Sequence, residues 1–400
     1  MMTGLDRLDN TGRSDVTHAL AQTKSYVIST AGDLAAVEQD WDTLTRSGRY
    51  TPFQTRSWLM PWYAIAGPHF GAKPLFVTVR DRSTGAPVMM LTLCVRRQGA
   101  LKIIEFADGS LSDYNAPILA KDFAPNEREM RTLWRDILSA LPAADIVRLE
   151  KLPTNFGGAS NPVRFLQGIR PMTIDSWRID LPATRAAYDA ELLTSTFRKE
   201  LRRKGRRVES RGKASLVHAR DVDDALRIFR ALAEMRAKRF EELGRENVLS
   251  VPALKAFYEA VIVQGWQQGF TMLSSLEVGG EIVAALFALK QADTYYLLFS
   301  AFQNGEWKSS SPGNVALDRM ATHLIETGVG VFDFTIGNES YKRDFGARPQ
   351  SLATVDYSRS VLGWPVVLRR TLSARVGNGL RSPAVTRAAA TARSILRIGS

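Results

Sequence analysis

The stretch VFDFTIGNESYKRDFGA, Val331 to Ala347, sets how the rest of the chain is read. Its first six residues alternate with the period of a strand: Phe332, Phe334 and Ile336 share one face, Val331, Asp333 and Thr335 the other. Gly337-Asn338 ends the strand, and Glu339 to Phe345 reads as a short helix. A carboxylate in mid-strand among apolar neighbours must find partners or shift its pKa. Asp333 therefore reads equally as a structural acceptor for nearby amides and as a catalytic base. Tyr341 and Lys342 fall just past the strand end, where an open sheet presents its ligands. The plainer alternatives are a packing aromatic for Tyr341 and a solvated lysine for Lys342.

Upstream, Ser311-Pro312-Gly313-Asn314 opens a helix with apolar residues at Leu317, Met320, Ala321 and Leu324. Ser311 suits the N-cap and Pro312 the first helical position. The amides of Gly313, Asn314 and Val315 then lack intrahelical acceptors and form an anion site, which Gly313 lets a diphosphate approach. Taken alone, Ser-Pro-Gly is an ordinary capped helix. Three antiparallel strands before it and a strand after it favour the ligand-binding reading.

Working outward, one order of elements occurs twice: strand, helix, helix, three antiparallel strands, helix, strand. In residues 24–150 the first strand is 25–29, helices start at Asp33 and Arg56, and Pro61 kinks the second. Strands 74–80, 87–96 and 101–106, a helix 126–141 and a strand 145–150 complete the set. In residues 214–337 the strand is 214–219, Asp221 caps a helix to Leu243, and Ser250 and Pro252 open another to Gln268. Strands 270–278, 281–290 and 294–302 follow, Gly279-Gly280 making a hairpin turn. The helix at Ser311 and the strand at Val331 close it. Between the halves lie a strand, 172–181, and a basic helical segment, 185–210. The organisation expected is a flexible N-terminal segment 1–23, an N-terminal lobe 24–175, a connecting strand and basic helix 176–213, a C-terminal lobe 214–358 and an Arg-rich tail 359–400. The fold class is α/β (α+β), each lobe a mixed, mostly antiparallel sheet flanked by helices.

An apolar share of 45% and a charged share of 24% exclude a disordered or fibrous chain. The longest clean apolar run, Ile282 to Leu289, is far short of the roughly 18 residues of a membrane span. The first ten residues carry acids and no apolar core, unlike a secretory signal. One cysteine, Cys94, and four scattered histidines make a structural metal unexpected. A soluble, cytoplasmic protein is expected.

The net charge of +12 is local. Arg198 to Lys213 holds nine basic residues against two acidic ones, and Arg359 to Ser400 holds eight arginines and no acid. Either is most simply a solvated face; a phosphate-bearing ligand, nucleic acid or anionic lipid is the functional alternative. In the tail, Trp364, Val366, Val367, Leu368 and Leu372 mix with Arg369, Arg370 and Arg375 as on a basic amphipathic helix, which suggests contact with a membrane surface.

The arrangement resembles the GNAT acyltransferase superfamily in the doubled form of Fem-type transferases. FDFTIGNESYKRDFGA after a Ser-Pro-Gly helix, with TPFQTRSWLMPWY (51–63) and SDYNAPIL (112–119), looks like the motifs of CelD-type acetyltransferases of cellulose and exopolysaccharide synthesis. The resemblance covers roughly residues 24–357. It implies direct transfer from acetyl-CoA or another acyl-CoA, without a metal, to an amine or a sugar hydroxyl of a small-molecule or saccharide acceptor. The thioester would sit against a strand amide near Phe334 or Thr335. Ser311, Gly313, Asn314, Val315 and Lys342 would hold the donor, and Tyr341 would be the acid. Asp333, Glu339 or, from the other lobe, Asp113 would be the base. Tyr114, and Trp58 stacking on a sugar, would meet the acceptor; a turn residue at Asp113, a buried tyrosine at 114 and a core tryptophan at 58 are the alternatives. The helix start offers Ser311-Pro312-Gly313 in place of a Gly-rich loop, which leaves open which lobe holds the donor. Two other functions stay open: a Fem-like transferase taking its group from a charged tRNA held by the basic helix, and a non-catalytic subunit docked on a polysaccharide synthase with its tail at the inner membrane surface.

Overall fold

The computed structural model describes residues 20–22 and 25–379; the other residues of the expected 1–23 and 359–400 segments lie outside the described residues. The N-terminal half runs β1 (Leu20–Gln22), β2 (Tyr26–Ala31), α1 (Glu38–Ser47), α2 (Arg56–Pro61), α3 (Gly67–His69), β3 (Lys73–Asp81), β4 (Pro87–Gln98), β5 (Leu101–Phe106), β6 (Ile118–Leu119), α4 (Glu127–Ala140) and β7 (Ile146–Pro153). A small hairpin of β8 (Asn155–Phe156) and β9 (Ala159–Ser160) leads to β10 (Arg170–Asp180), α5 (Arg185–Glu191) and α6 (Ser195–Glu209). The C-terminal half runs β11 (Ala214–His218), α7 (Val222–Glu242), α8 (Pro252–Trp266), β12 (Thr271–Val278), β13 (Glu281–Gln291), β14 (Thr294–Phe302), α9 (Pro312–Glu326), β15 (Val331–Ile336), α10 (Tyr341–Asp344), β16 (Arg348–Ser358) and α11 (Gly363–Gly379).

Local chemistry sets several boundaries. Asn126 accepts the Glu129 amide at 3.0 Å while the Glu129 carboxylate takes the Asn126 amide at 3.0 Å, a reciprocal cap on α4. Asp221 accepts the Asp224 amide at 2.8 Å and starts α7. Pro61 has no amide to donate, and the α-helical pattern gives way there to a π turn over Trp62–Ala66 between α2 and α3.

One sheet of fourteen strands joins both halves, in the order β1-β2-β3-β4-β5-β7-β16-β10-β15-β14-β13-β12-β11, with β6 beside β4. The two lobes exchange their last strands. β10, which follows the first lobe, pairs antiparallel with β15; β16, which follows the second, pairs antiparallel with β7. β10 and β16 pair with each other at the centre. The sequence reading has no strand at 348–358. Its opening, Arg348-Pro349-Gln350-Ser351, is polar and exposed, and only the partners on both edges make it extended. A shared core runs through both lobes on one face, with Trp41, Trp58, Phe229, Phe257 and Phe287 buried in it. On the other face α4 covers the first lobe, and α5, α6 and α9 cover the second.

Candidate active site at the second fork

In the second lobe β14 and β15 run parallel, paired at Thr294–Val331, Tyr295–Phe332 and Tyr296–Asp333, and then part. Both strands are irregular there. β14 carries Leu298 as an extra residue against β13, and β15 sets Phe334 and Thr335 against the single Trp177 of β10. Such bulges re-aim side chains. Thr335 has φ of +54°, a conformation costing a β-branched residue on the order of 1–3 kcal/mol. Two bonds hold it: its amide donates to Asp333 Oδ1 at 2.6 Å, and its hydroxyl donates to the Leu297 carbonyl at 3.0 Å.

Asp333 is buried at the fork. The Tyr114 hydroxyl, delivered by the first lobe's loop after β5, reaches its two oxygens at 2.8 and 2.9 Å. Burial pushes the Asp333 carboxyl up to about 7, against the Tyr114 and Thr335 hydrogen bonds and the Lys342 charge, which favour its ionised form; Asp113 adds to the rise. A carboxyl titrating near neutrality is matched to general-base work. Burial and the Asp333 charge also push the Tyr114 phenol well up, so it stays protonated as the donor. Thus Asp333, Thr335, Asp113 and Tyr114 come together from distant segments.

Tyr341, on α10 just past the strand end, is half-buried and packs on the core beneath α5, α6 and α9. Its ring meets Phe334 edge-on at 6.0 Å, and its hydroxyl lies against the Ser300 side chain on β14, across the fork. Burial and then Glu339 raise its pKa, so it keeps its proton. Phe334 itself is buried and stacked on Phe332 at 4.3 Å. Glu339 is exposed, 3.0 Å from Lys342 Nζ.

Three expected roles need correction. Lys342 is no solvated or donor-facing lysine: it is buried, with Nζ on the Thr335 and Gly337 carbonyls at 3.4 and 3.3 Å, bracing the strand end. Trp58 is fully buried, edge-on to Phe53 at 4.9 Å and Phe257 at 5.1 Å, with its indole N–H on Ser112 Oγ at 3.0 Å, so no ring face is free for a sugar. The three-amide cradle at α9 is not formed. Ser311 is left-handed (φ +46°) and makes no side-chain cap; its carbonyl takes the Asn314 amide at 3.0 Å and the Val315 amide at 3.4 Å. Gly313 instead receives the Phe302 ring, 2.6 Å from where a Cβ would stand. Three arginines lie alongside: Arg202 and Arg206 of α6 and Arg319 of α9 line a pocket of about 270 Å³ together with the acids Glu209 and Asp318, Arg319 being paired with Glu209 at 2.8 Å.

Sequence reasoning missed Tyr296, whose ring lies 6.2 Å from Tyr114, and Ser176, beside the Tyr114 hydroxyl. It also missed Arg178, opposite Asp333 in the ladder but turned to Asp180 at 3.2 Å. The strand at 172–181 was legible; which strand it would join was not. Among the described residues no three His, Cys, Asp or Glu side chains gather into a metal-holding group, although the His218 and His323 rings lie 4.1 Å apart, tilted by 37°.

Residues 195–343, which contain this fork, match the family model of the acetyltransferase (GNAT) domain. No curated protein matches the sequence. Among solved structures, FemX matches at 12% identity over 84% of this chain and 98% of its own, with a TM-score of 0.55. The C-terminal (DUF2156) domain of a putative lysylphosphatidylglycerol synthetase from Agrobacterium fabrum matches at 12% identity, 87% and 98% coverage and a TM-score of 0.46. A tandem GNAT protein from the clavulanic acid biosynthesis pathway matches at 11% identity, 83% and 99% coverage and a TM-score of 0.45. The likeness to FemX is one of fold. The chain is two-lobed, shares its fold with FemX, and contains a match to the acetyltransferase (GNAT) domain over α6 and most of its second lobe.

Proposed function

We propose that the protein transfers an acyl group from acyl-CoA directly to an amine or a sugar hydroxyl at the β14–β15 fork. The observation that carries this reading is Asp333: a buried carboxyl near pKa 7, held by neutral donors, where two parallel strands of a GNAT-like lobe part. Asp333 takes the acceptor's proton as the nitrogen or oxygen bonds to the acyl carbon and the C–S bond breaks. Tyr341, kept protonated, gives a proton to the leaving thiolate. Holding both partners in one fork supplies much of the rate. The donor's phosphates lie against Arg202, Arg206 and Arg319 rather than on helix amides. Acetyl as the group, a saccharide acceptor and a CelD-type place in polysaccharide synthesis are the finer parts of the same proposal.

The test is a panel of acyl-CoAs read by thermal shift, with products identified by mass. A ligand at 100 times its Kd stabilises by about 2.7 kcal/mol. Stabilisation by one acyl-CoA and an acylated product is expected; no shift with any of them ends this reading. A second reading has its own observation: α6 exposes Lys199, Arg202, Arg203, Arg206 and Arg207 in a row suited to a phosphate backbone. Stabilisation by a charged tRNA alone, steeply weakened by salt, would favour an aminoacyl transferase. No shift with either would favour a non-catalytic partner of a synthase.

A further inference from the structure

The helix α11 holds one face against the sheet and leaves an apolar face bare. On the inner side Gly363 is buried so tightly that a Cβ would stand 2.2 Å from the Asp145 carbonyl. Arg370 reaches Asp356 at 3.3 Å and also binds Glu150. Just before the helix, the Arg359 amide donates to Asp145 at 2.8 Å and its guanidinium to the Pro142 carbonyl at 3.0 Å. These ties fix the helix's rotation, so it cannot roll to hide its other side. On that side Trp364, Leu368 and Leu372 recur every four residues, the spacing of one helical stripe. Trp364 is 60% exposed, and Val361 and Leu362 ahead of it are 90% and 64% exposed. These are five of the eight large hydrophobic residues exposed among the described residues, gathered within twelve positions. A contiguous apolar patch of this kind marks an interaction surface.

The charge around the stripe selects the partner. Residues 359–400 contain eight arginines and no acid, and Arg369 stands exposed beside the stripe. An apolar stripe flanked by the exposed Arg369, in a segment whose sequence is basic and free of acid, complements an anionic bilayer interface: Trp and Leu enter the boundary while Arg meets the headgroups. No described helix is long and apolar enough to cross a membrane. We propose that α11 docks the protein on anionic phospholipid surfaces through the Val361–Leu372 stripe.

The experiment is flotation of the full chain with phosphatidylcholine vesicles, with and without phosphatidylglycerol, alongside W364S/L368S. Both side chains are exposed, so the variant should keep the parent's melting temperature. Binding is expected to the phosphatidylglycerol vesicles, to fall with salt, and to weaken about tenfold or more in the variant. No binding to the anionic vesicles overturns the proposal, as does equal binding to neutral ones or binding that W364S/L368S leaves unchanged. A dimer in solution that the variant makes monomeric also overturns it, because a second copy would then cover the stripe.

Discussion

The two lobes contain the same fork and use it oppositely. In the first, β5 and β7 pair at Ile103–Ile146, Ile104–Val147 and Glu105–Arg148 before parting, as β14 and β15 do after Tyr296–Asp333. Each inner strand then bulges, two residues against one, around a non-glycine residue with positive φ: Lys151 at +58° and Thr335 at +54°. In the first fork a loop fills the gap. The Asn115 amide donates to the Lys151 carbonyl at 3.0 Å, and its side chain donates to the Glu150 carbonyl at 3.1 Å. In the second, side chains span the gap instead, Thr335 to Leu297 and Tyr341 to Ser300. The last ladder residue differs most. Arg148 lies 2.9 Å from Asp356 on the exchanged strand β16. At the matching place in the second fork, Asp333 faces Arg178 on the exchanged strand β10, but Arg178 turns to Asp180 and neutral groups hold Asp333. Burial pushes Asp356 up too, yet Arg370, Arg148 and Arg170 outweigh it and hold that carboxyl below the usual range. One carboxylate is locked ionised for structure, the other poised near neutrality. The loop that closes the first fork carries the tyrosine that sets the second.

The largest expected effect breaks the second fork. Asp333→Asn should lower kcat by about 10²- to 10⁴-fold, the usual worth of a general base. The parent's kcat/KM should rise with pH through about 7, and the variant should lose that limb. Because burial raises this pKa, the stability Asp333 contributes is complete below the ordinary carboxylic range and is lost as pH climbs through about 7. The parent's melting temperature should therefore fall across that window and the variant's should not. A retained limb would remove Asp333 from the base role. The matching change in the first fork, Asp356→Asn, strands Arg148 and Arg170 beside a neutral group. It should cost about 3–5 kcal/mol of stability by denaturant titration while kcat per folded molecule stays put. A large kcat loss at constant stability would abolish the distinction between the forks.

Tyr114→Phe sharpens the link between the lobes. It removes the hydrogen bond that most favours the ionised Asp333, so the pH limb should move to higher pH. The buried carboxylate loses a partner, at a cost of about 1–3 kcal/mol. The same drop in stability with an unmoved limb would make Tyr114 a packing residue only.

Asp333 stood out in the sequence because a mid-strand acid between Phe332 and Phe334 has few ways to exist, and the structure gives it a buried, bonded one. Its partner did not stand out. Asp113-Tyr114 is local turn chemistry by itself, and 219 residues separate Tyr114 from Asp333. The strand exchange was hidden for a related reason: nothing local in residues 348–358 outcompetes a loop reading until β7 and β10 supply hydrogen bonds on both edges. Trp58 was legible as helical and apolar, but not as the place where α8 of the other lobe docks. Local periodicity found the elements; contacts between lobes chose the site.

The smallest effect tests the helix start, where Ser311-Pro312-Gly313 misled by looking like a cap. A backbone turned left-handed at Ser311 spends its carbonyl on two of the three amides, and Phe302 takes the space beside Gly313. Gly313→Ala sets a methyl 2.6 Å from the Phe302 ring. That ring is exposed at a strand end and can swing aside, and alanine favours the helix by roughly 0.5–1 kcal/mol. Stability and donor KM should therefore barely change, while Arg206→Ala should raise donor KM severalfold with kcat retained. If Gly313→Ala raises donor KM about tenfold or more, equivalent to 1.4 kcal/mol, and Arg206→Ala does not, the phosphates rest on the helix amides after all.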